Sequence, residues 1–466
     1  MLRIVRHYHS ASALLLFFVE AGLAAAAACG VYLSLLGANA FDGVGIGGKV
    51  ASFIAQGFLI ATIMYSVGLY ERPNRHDLVK VATRLVVCMV IAIPLLMILS
   101  SYVSALKFEN PTQRSMFYLL FAAGVVVAVV GSRLIYDTFA RVTPAPHRIL
   151  VVGVGNHAAE IEQLASDRSS TDDVVVGYYN LKDETARVNA SKILPSIAPL
   201  LDTIRANSVK ELVVALDDRR GAPLRALLDA RMAGIQVTNY LSYWERETRR
   251  LNLANLEPGW LIYSDGFRIG SVTNAALKRC LDLAASLVLL TLSMPVLLVA
   301  ALAVRLEGGG SVLYKQERVG RGGSVFWIYK LRTMRPDAEL GVPQWASTND
   351  PRITRVGSFL RLTRIDELPQ LFNVLKGDMS IVGPRPERPF FVEDLTRRIP
   401  YYPERHRVRP GITGWAQINY PYGASIADAK EKLSYDLYYI KNFSILFDFL
   451  VILATIQTVL WNKGAR

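Results

Sequence analysis

The chain has 466 residues, a formal net charge of +13 and a hydrophobic fraction of 52%. A composition this apolar and this basic argues against a soluble enzyme. It fits a membrane protein of roughly two to four domains whose cytoplasmic parts meet anionic lipid or phosphorylated substrates. Basic charge alone also suits nucleic acid, but the sequence carries no zinc-finger spacing and no nucleic-acid motif. Cys29, Cys88 and Cys280 are too scattered for a disulfide framework or a metal site.

Four apolar runs fill the N-terminal third, at 11–36, 49–70, 84–106 and 116–138. Each is near the ~20 residues that cross a bilayer as a helix, so 1–142 is expected to be a four-helix transmembrane bundle. The first run is too long for a cleaved signal peptide, and no clean small-residue cleavage site follows a short apolar core. Arg3 and Arg6 precede it. Arg72, Arg75, Lys80 and Arg84 lie between the second and third runs, and Arg133, Arg141 and Arg148 in or beyond the fourth, whereas 38–48 holds no Lys or Arg. The positive-inside rule then puts both ends of the bundle in the cytoplasm. Glu20 and Arg133 fall inside apolar runs; with no partner legible, packing or snorkelling accounts for both.

After a Pro-containing linker at 143–146 the texture changes. Arg148-Ile-Leu-Val-Val-Gly153-Val-Gly155-Asn-His-Ala158 predicts a strand, a glycine turn and a helix start, with the Gly-x-Gly-x-x-Ala spacing of dinucleotide folds. Further strands are expected at 173–179, 211–216 and 235–238, giving a Rossmann-like α/β domain over 147–250. The second strand ends on Asn180, with no acidic residue at its tip to hold a ribose. Residues 251–273 are expected to be a linker.

From Lys278 and Arg279 the chain runs apolar to Val304 and holds Ser293-Met-Pro295 at its middle. Proline removes a backbone donor and clashes with the carbonyl of Thr291, so a break is expected there. The segment at about 279–305 is therefore expected to be re-entrant, dipping into one leaflet and returning. A glycine turn between extended segments follows, carrying Arg318, Lys330 and Arg332. Residues 361–386 then read Arg361-Leu-Thr-Arg364-Ile-Asp366-Glu367-Leu-Pro-Gln-Leu-Phe-Asn-Val-Leu-Lys376-Gly377-Asp378-Met-Ser-Ile-Val-Gly383-Pro-Arg385-Pro. Two carboxylates open a short helix whose apolar face is Leu368, Leu371, Phe372 and Leu375, closed by Gly377. A helix start suits bound phosphate, and Arg361, Arg364 and Arg385 flank it. Further on, Arg409 precedes a Pro-Gly turn. The tyrosines around 435–439 form a cluster or an aromatic belt at the interface. The final apolar segment, from 443 to 461, carries Asp448 and is expected to lie at the interface rather than to span.

Residues 361–386, and 274–461 more widely, resemble the polyprenyl-phosphate hexose-1-phosphate transferases, the monotopic phosphoglycosyl transferases of bacteria. That family carries Asp-Glu-Leu-Pro-Gln, then Asn-Val-Leu-Lys-Gly-Asp-Met-Ser and Val-Gly-Pro-Arg-Pro, and every one of these residues is present. Many members have Ser directly before the helix-breaking Pro; here Met294 separates Ser293 from Pro295. The resemblance implies transfer of a sugar-1-phosphate from a UDP-sugar to undecaprenyl phosphate with release of UMP, an α-rich catalytic domain with a re-entrant helix, and Mg²⁺. It implies Asp366 as nucleophile and Glu367 as metal-binding partner with Asp366. Arg385 would clamp phosphate, Arg409 would hold a phosphate or a uridine ring, and Arg318, Lys330, Arg332 and Arg361 would line the site. Because UDP-sugars are cytoplasmic, it places catalysis on the cytoplasmic face of the bacterial inner membrane, among membrane lipid, and it allows a homodimer. Two rival readings differ in what they require. A membrane-anchored nucleotide-sugar dehydratase or epimerase needs Tyr-x-x-x-Lys with a nearby Ser in an extended Rossmann fold, a combination not found around 147–250. A non-catalytic polysaccharide-assembly scaffold predicts a degenerate C-terminal motif, and this one is intact.

Overall fold

The computed structural model describes residues 11–37, 46–70, 78–102, 110–140, 147–167, 173–180, 184–195, 199–218, 222–267, 272–308, 310–335, 352–421 and 425–460, with 106, 108, 220, 350 and 423. Arg3, Arg6, Arg72, Arg75, Arg141, Lys463 and Arg466, the side chain of Lys80 and the 143–146 linker lie outside the described residues, so part of the charge reading of the flanks does too. The chain forms two compact units, one of 1–142 with 266–466 and one of 143–265.

Helices α1 (Ala11–Leu36), α2 (Ile46–Ser66), α3 (Leu78–Tyr102) and α4 (Pro111–Ala140) occupy the four apolar runs. Small residues let α1 and α2 approach: Ala21, Ala24 and Ala28 are buried, and a Cβ on Gly57 would lie 2.3 Å from the Ala21 carbonyl. Close backbone contact of this kind drives helix association where lipid removes the hydrophobic incentive. Among the described residues, Leu15–Leu36, Gly47–Ser66 and Pro111–Ile135 are long and apolar enough to cross a bilayer; α3 is an apolar helix of 25 residues with Pro94 inside it.

Glu20 and Arg133 do not snorkel. They meet inside the bundle, 0% and 1% exposed, with Arg133 Nε 2.9 Å from Glu20 Oε1. Ser132 Oγ donates to the same oxygen at 3.1 Å, and Arg133 Nη1 donates to the Leu69 carbonyl at 3.0 Å. The pair ties α1 to α4 across 113 residues. Removing one member leaves the other buried and uncompensated, at a cost of about 3–5 kcal/mol. Glu20→Ala is therefore expected to lower the thermal midpoint of the detergent-solubilised protein by several degrees, and the double variant Glu20→Ala/Arg133→Met to recover most of that loss.

The second unit is an all-parallel five-stranded sheet of β1 (His147–Val152), β2 (Asp173–Tyr179), β3 (Ile193–Leu194), β4 (Glu211–Val214) and β5 (Gln236–Asn239), in the order β3-β2-β1-β4-β5. Helices α5 (Asn156–Asp167), α6 (Leu200–Ala206), α7 (Leu224–Met232), α8 (Tyr240–Thr248) and α9 (Pro258–Tyr263) complete it. Ile149, Leu150, Val151 and Val152 are all buried, the unbroken apolar run expected of a strand covered on both faces. The stretch expected as a linker is tied to this unit at its start: Asn252 and Asn255 donate to Glu160 and to the Tyr240 hydroxyl.

The rest of the first unit begins with α10 (Val272–Gly308), 37 residues of helix that continue through Ser293 and Pro295. Its Val272–Glu307 stretch is the fourth helix among the described residues that is long and apolar enough to cross a membrane, by length and composition alone. An antiparallel hairpin follows, β6 (Leu313–Val319) with β7 (Val325–Leu331), pairing Arg318 with Phe326 and Tyr314 with Lys330. Next come α11 (Arg355–Leu362), α12 (Gln370–Lys376), β8 (Ser380–Val382), α13 (Pro389–Arg398), β9 (Gly411–Thr413), α14 (Trp415–Asn419), α15 (Ile426–Lys441) and α16 (Ile445–Leu460). β8 and β9 run parallel, and the chain crosses itself just beyond them: a Cβ on Gly411 would stand 2.1 Å from the Gly383 nitrogen. Only glycine fits such an approach.

Asp448, in the first turn of α16, is buried and bonded. Lys278 Nζ donates to it at 2.6 Å and the Tyr439 hydroxyl at 2.6 Å, and both also donate to the Val382 carbonyl. Asp282 accepts from Ser380 Oγ and the Ile381 amide. Polar residues of α10, α15 and α16 thus converge on β8. Tyr438 and Tyr439 are buried and belong to this packing, not to an aromatic belt.

Candidate active site

Thr354 caps α11 by accepting the Gly357 amide at 2.9 Å. After α11 the backbone turns sharply at Arg364, which is left-handed at φ 60°. A single 3₁₀ turn, Ile365–Glu367, carries both carboxylates. They therefore precede α12 instead of opening it, because α12 begins at Gln370, after Pro369. Gly377 does close it, at φ 104°. The buried face of α12 is Gln370, Leu371, Asn373 and Val374, while Phe372 is exposed. Asn373 has a reason to be inside: it accepts the Tyr329 amide at 3.1 Å and donates to the Trp327 carbonyl at 2.7 Å, fastening α12 to β7.

That attachment brings Lys330 to the acidic pair. Lys330 Nζ lies 2.9 Å from Glu367 Oε1, and Arg385, from the turn after β8, reaches the same oxygen at 2.6 Å. Arg364 stands 4.0 Å away. Burial alone would raise the Glu367 pKa, but Arg385 and Lys330 outweigh it and hold the carboxyl well below its usual range. Asp366 behaves oppositely. Burial raises it, the adjacent Glu367 charge adds to that, and Lys330, Arg361 and Arg385 only partly offset the two. Asp366 Oδ1 is buried and has no hydrogen-bond partner among the described residues. One carboxylate is thus neutralised and fixed, and its neighbour keeps one buried oxygen without a hydrogen-bond partner among the described residues.

Arg385 is itself held. Arg405 Nη2 donates to its carbonyl at 3.0 Å, and Arg405 is anchored by Asp436 at 2.8 Å and the Tyr402 hydroxyl at 2.6 Å. Arg318 donates to the Pro386 carbonyl at 2.9 Å and lies 3.6 Å from Glu387, so it supports the same turn. Arg361 bonds Thr333 Oγ1 at 2.9 Å and contributes its charge to Asp366. Arg332 lies at the junction of α10 and β6, near Gly310. Arg409 shares its surroundings with Arg279, Arg321 and Asp282, a second cationic group next to β8. Pro295 lines an apolar cavity of about 630 Å³ between α10 and α11, with Val299, Ala300, Phe359 and Ile365. Ile365, the residue before Asp366, is part of its lining.

Sequence reasoning left Asn373, Asp282 and the Lys278–Tyr439–Asp448 group without roles. The signal available was a polar side chain inside an apolar segment, at Asp282 and Asp448.

Buried carboxylates ringed by Arg and Lys beside an apolar helix are the equipment of a membrane transferase that handles phosphorylated groups. Comparison with known proteins gives the same class. Residues 273–462 match the model of the bacterial sugar transferase family, and 65–231 that of a CoA-binding domain. A UDP-N-acetylgalactosamine-undecaprenyl-phosphate N-acetylgalactosaminephosphotransferase of Aeromonas hydrophila is 43% identical over 250 residues, 54% of this chain and 58% of that protein. The exopolysaccharide production protein PSS of Rhizobium leguminosarum bv. phaseoli is 43% identical over 194 residues, 40% of this chain and 95% of that protein. A UDP-glucose:undecaprenyl-phosphate glucose-1-phosphate transferase of Xanthomonas campestris pv. campestris is 31% identical over 333 residues, 68% of this chain and 67% of that protein. The chain belongs to the bacterial sugar transferase family.

Proposed function

We propose that this chain transfers a sugar-1-phosphate from a UDP-sugar to undecaprenyl phosphate, releasing UMP, at the cytoplasmic face of the bacterial inner membrane, and so begins assembly of an exopolysaccharide, capsule or O-antigen. The observation that carries the reading is the bare, buried Asp366 oxygen beside a Glu367 already neutralised by Lys330 and Arg385. An Asp366 oxygen attacks the sugar-bearing phosphorus; the bond from that phosphorus to the UMP oxygen breaks, and UMP leaves. An oxygen of the lipid phosphate then attacks the same phosphorus and expels the carboxylate, giving a polyprenyl diphosphate sugar. Two easier displacements replace one hard one. Arg385 and Lys330 supply fixed positive charge where phosphate charge gathers. The cavity at Pro295, Val299 and Ile365 suits the first isoprene units of the acceptor.

Mg²⁺ fits this donor set. Among the described residues no group of three or more His, Cys, Asp or Glu side chains is arranged to hold a metal. Two adjacent carboxylates that leave the other positions to phosphate oxygens and water are nevertheless what Mg²⁺ takes in phosphoryl-transfer sites. Asp366 and Glu367 would hold it, and when bound it neutralises the diphosphate and the leaving UMP.

The Asp366 pKa gives the reaction a pH signature. Burial and Glu367 raise it, so as pH falls Asp366 is protonated, and its attacking form lost, before the ordinary aspartate value of about 3.9 is reached. kcat/KM for UMP release is expected to fall as pH drops through that raised value; a rate that stays flat down to the ordinary value contradicts the assignment.

Re-entry of α10 is supported by where its two ends bind. Arg279 donates to the carbonyls of Val374 and Leu375, and Glu307 accepts the Val356 amide, so both ends hold the same short stretch of chain. A straight helix from Arg279 to Glu307 would separate them by about 42 Å at 1.5 Å per residue. Cysteines replacing Asn274 and Ser311, in a background without Cys29, Cys88 and Cys280, are expected to be shielded from an impermeant thiol reagent in intact cells and to react once the inner membrane is opened. Labelling of the Ser311 site alone in intact cells would show a full span.

The function itself is tested by incubating the purified protein with undecaprenyl phosphate, Mg²⁺ and a panel of UDP-sugars. At least one is expected to give UMP and a lipid-linked sugar. A folded protein that releases no UMP from any of them contradicts the proposal.

A further inference from the structure

The strand order of the 143–265 unit reverses between β1 and β4. In open parallel sheets ligands enter at such a switch point, beyond the carboxyl ends of the strands. Here that crevice is formed by 153–156, the start of α5, and 215–217. A cofactor bearing a nucleoside diphosphate, such as CoA or a dinucleotide, would place its pyrophosphate there, on the free backbone N–H groups of the helix start.

Two carboxylates of the chain already stand in that place. Asp217, just beyond β4, accepts the Asn156 amide at 2.8 Å, the His157 amide at 2.9 Å and the Asn156 side chain at 2.9 Å. Glu184 accepts the Val154 amide with one oxygen and the Asp217 amide with the other, each at 3.2 Å. The Arg187 amide donates to the Val154 carbonyl at 2.7 Å, which lays the 184–187 segment over the turn. The second glycine of the turn leaves room for Asp217 itself: a Cβ on Gly155 would come within 2.4 Å of the Asp217 carboxylate. Although burial opposes it, the amides of His157 and Asn156 hold the Asp217 carboxyl below its usual range, so it is anionic at neutral pH. An incoming pyrophosphate would find its donors taken and two negative charges in its seat.

We propose that Asp217 and Glu184 close the glycine turn of this domain from within, so that it takes no pyrophosphate-bearing cofactor. The CoA-binding family match then reflects the fold and not a bound ligand. This inference stands apart from the transferase reading and concerns the other unit of the chain.

Hydrogen exchange of the full-length protein in detergent tests it, read in peptides that cover 152–158. Millimolar CoA or NAD⁺ is expected to leave exchange there unchanged. The near-isosteric double variant Glu184→Gln/Asp217→Asn is expected to exchange roughly tenfold faster in the same peptides without ligand, having lost charge-assisted acceptors. If the double variant does not fold, Glu184→Gln alone is read for the same acceleration. Protection of 152–158 by either cofactor in the unaltered protein overturns the proposal. So does exchange at the unaltered rate in the folded variants, which would mean that the carboxylates do not hold the turn.

Discussion

Asp366→Asn is expected to reduce turnover by on the order of 10³-fold or more while the protein folds and inserts normally. The amide keeps the shape of the side chain but cannot form the acyl phosphate. Stability separates this loss from simple damage. The Asp366 pKa is raised in the folded state, so the folded chain holds that proton more tightly than the unfolded one. Its ionised form therefore works against folding as pH rises from the unfolded value through the folded one. A neutral replacement removes that burden, and the variant is expected to melt at or above the temperature of the unaltered protein at neutral pH. Activity lost together with a lowered melting temperature would point to a structural carboxylate. Near-normal UMP release would remove Asp366 from the chemistry.

Arg385→Ala is expected to have the next largest effect, roughly 10²–10³-fold in kcat, the range seen when one preorganised charge-stabilising donor is deleted. The residue is close to Glu367 and lies on a turn that Arg405 and Arg318 fix from behind. Its removal leaves Glu367 with Lys330 and costs about 1.5–3 kcal/mol, the usual worth of a hydrogen bond to a charged group. The sign with pH follows from the Glu367 direction. A depressed carboxyl pKa stabilises the fold above the unfolded value, and that stability fades as pH falls through the folded value. The stability gap between Arg385→Ala and the unaltered protein is therefore expected to be full at pH 7 and to shrink in acid. Arg385→Lys keeps the charge and loses the planar fork, so it should recover part of the rate. A gap that does not change with pH would show that Arg385 does not act through Glu367.

The parts of this site that were legible in the sequence are those carried by contiguous residues. Asp366, Glu367, Arg385 and Gly377 lie within one run, and the expected strand at 173–179 is β2 to the residue. What escaped depends on residues far apart in the chain. Glu20 looked partnerless because Arg133 is 113 residues away. The partners of Asp448, Lys278 and Tyr439, reach it from two other helices, so no local pattern shows them. Helix α12 starts later than its apolar spacing suggests, and tertiary contacts decide its faces: Asn373 is buried to bond β7, and Phe372 is left outside. Pro295 was expected to break α10, yet the helix carries on through it. Loss of one donor bends or weakens a long helix without having to end it.

Everything proposed for Asp366 turns on the covalent step, which peptide mass analysis detects. Protein is incubated with its UDP-sugar, without lipid acceptor, quenched and digested. A sugar-phosphate is expected on the peptide containing Asp366, formed with an equal amount of UMP and discharged when undecaprenyl phosphate is added. An active preparation that carries no such adduct, or carries it on another residue, would contradict the covalent step at Asp366.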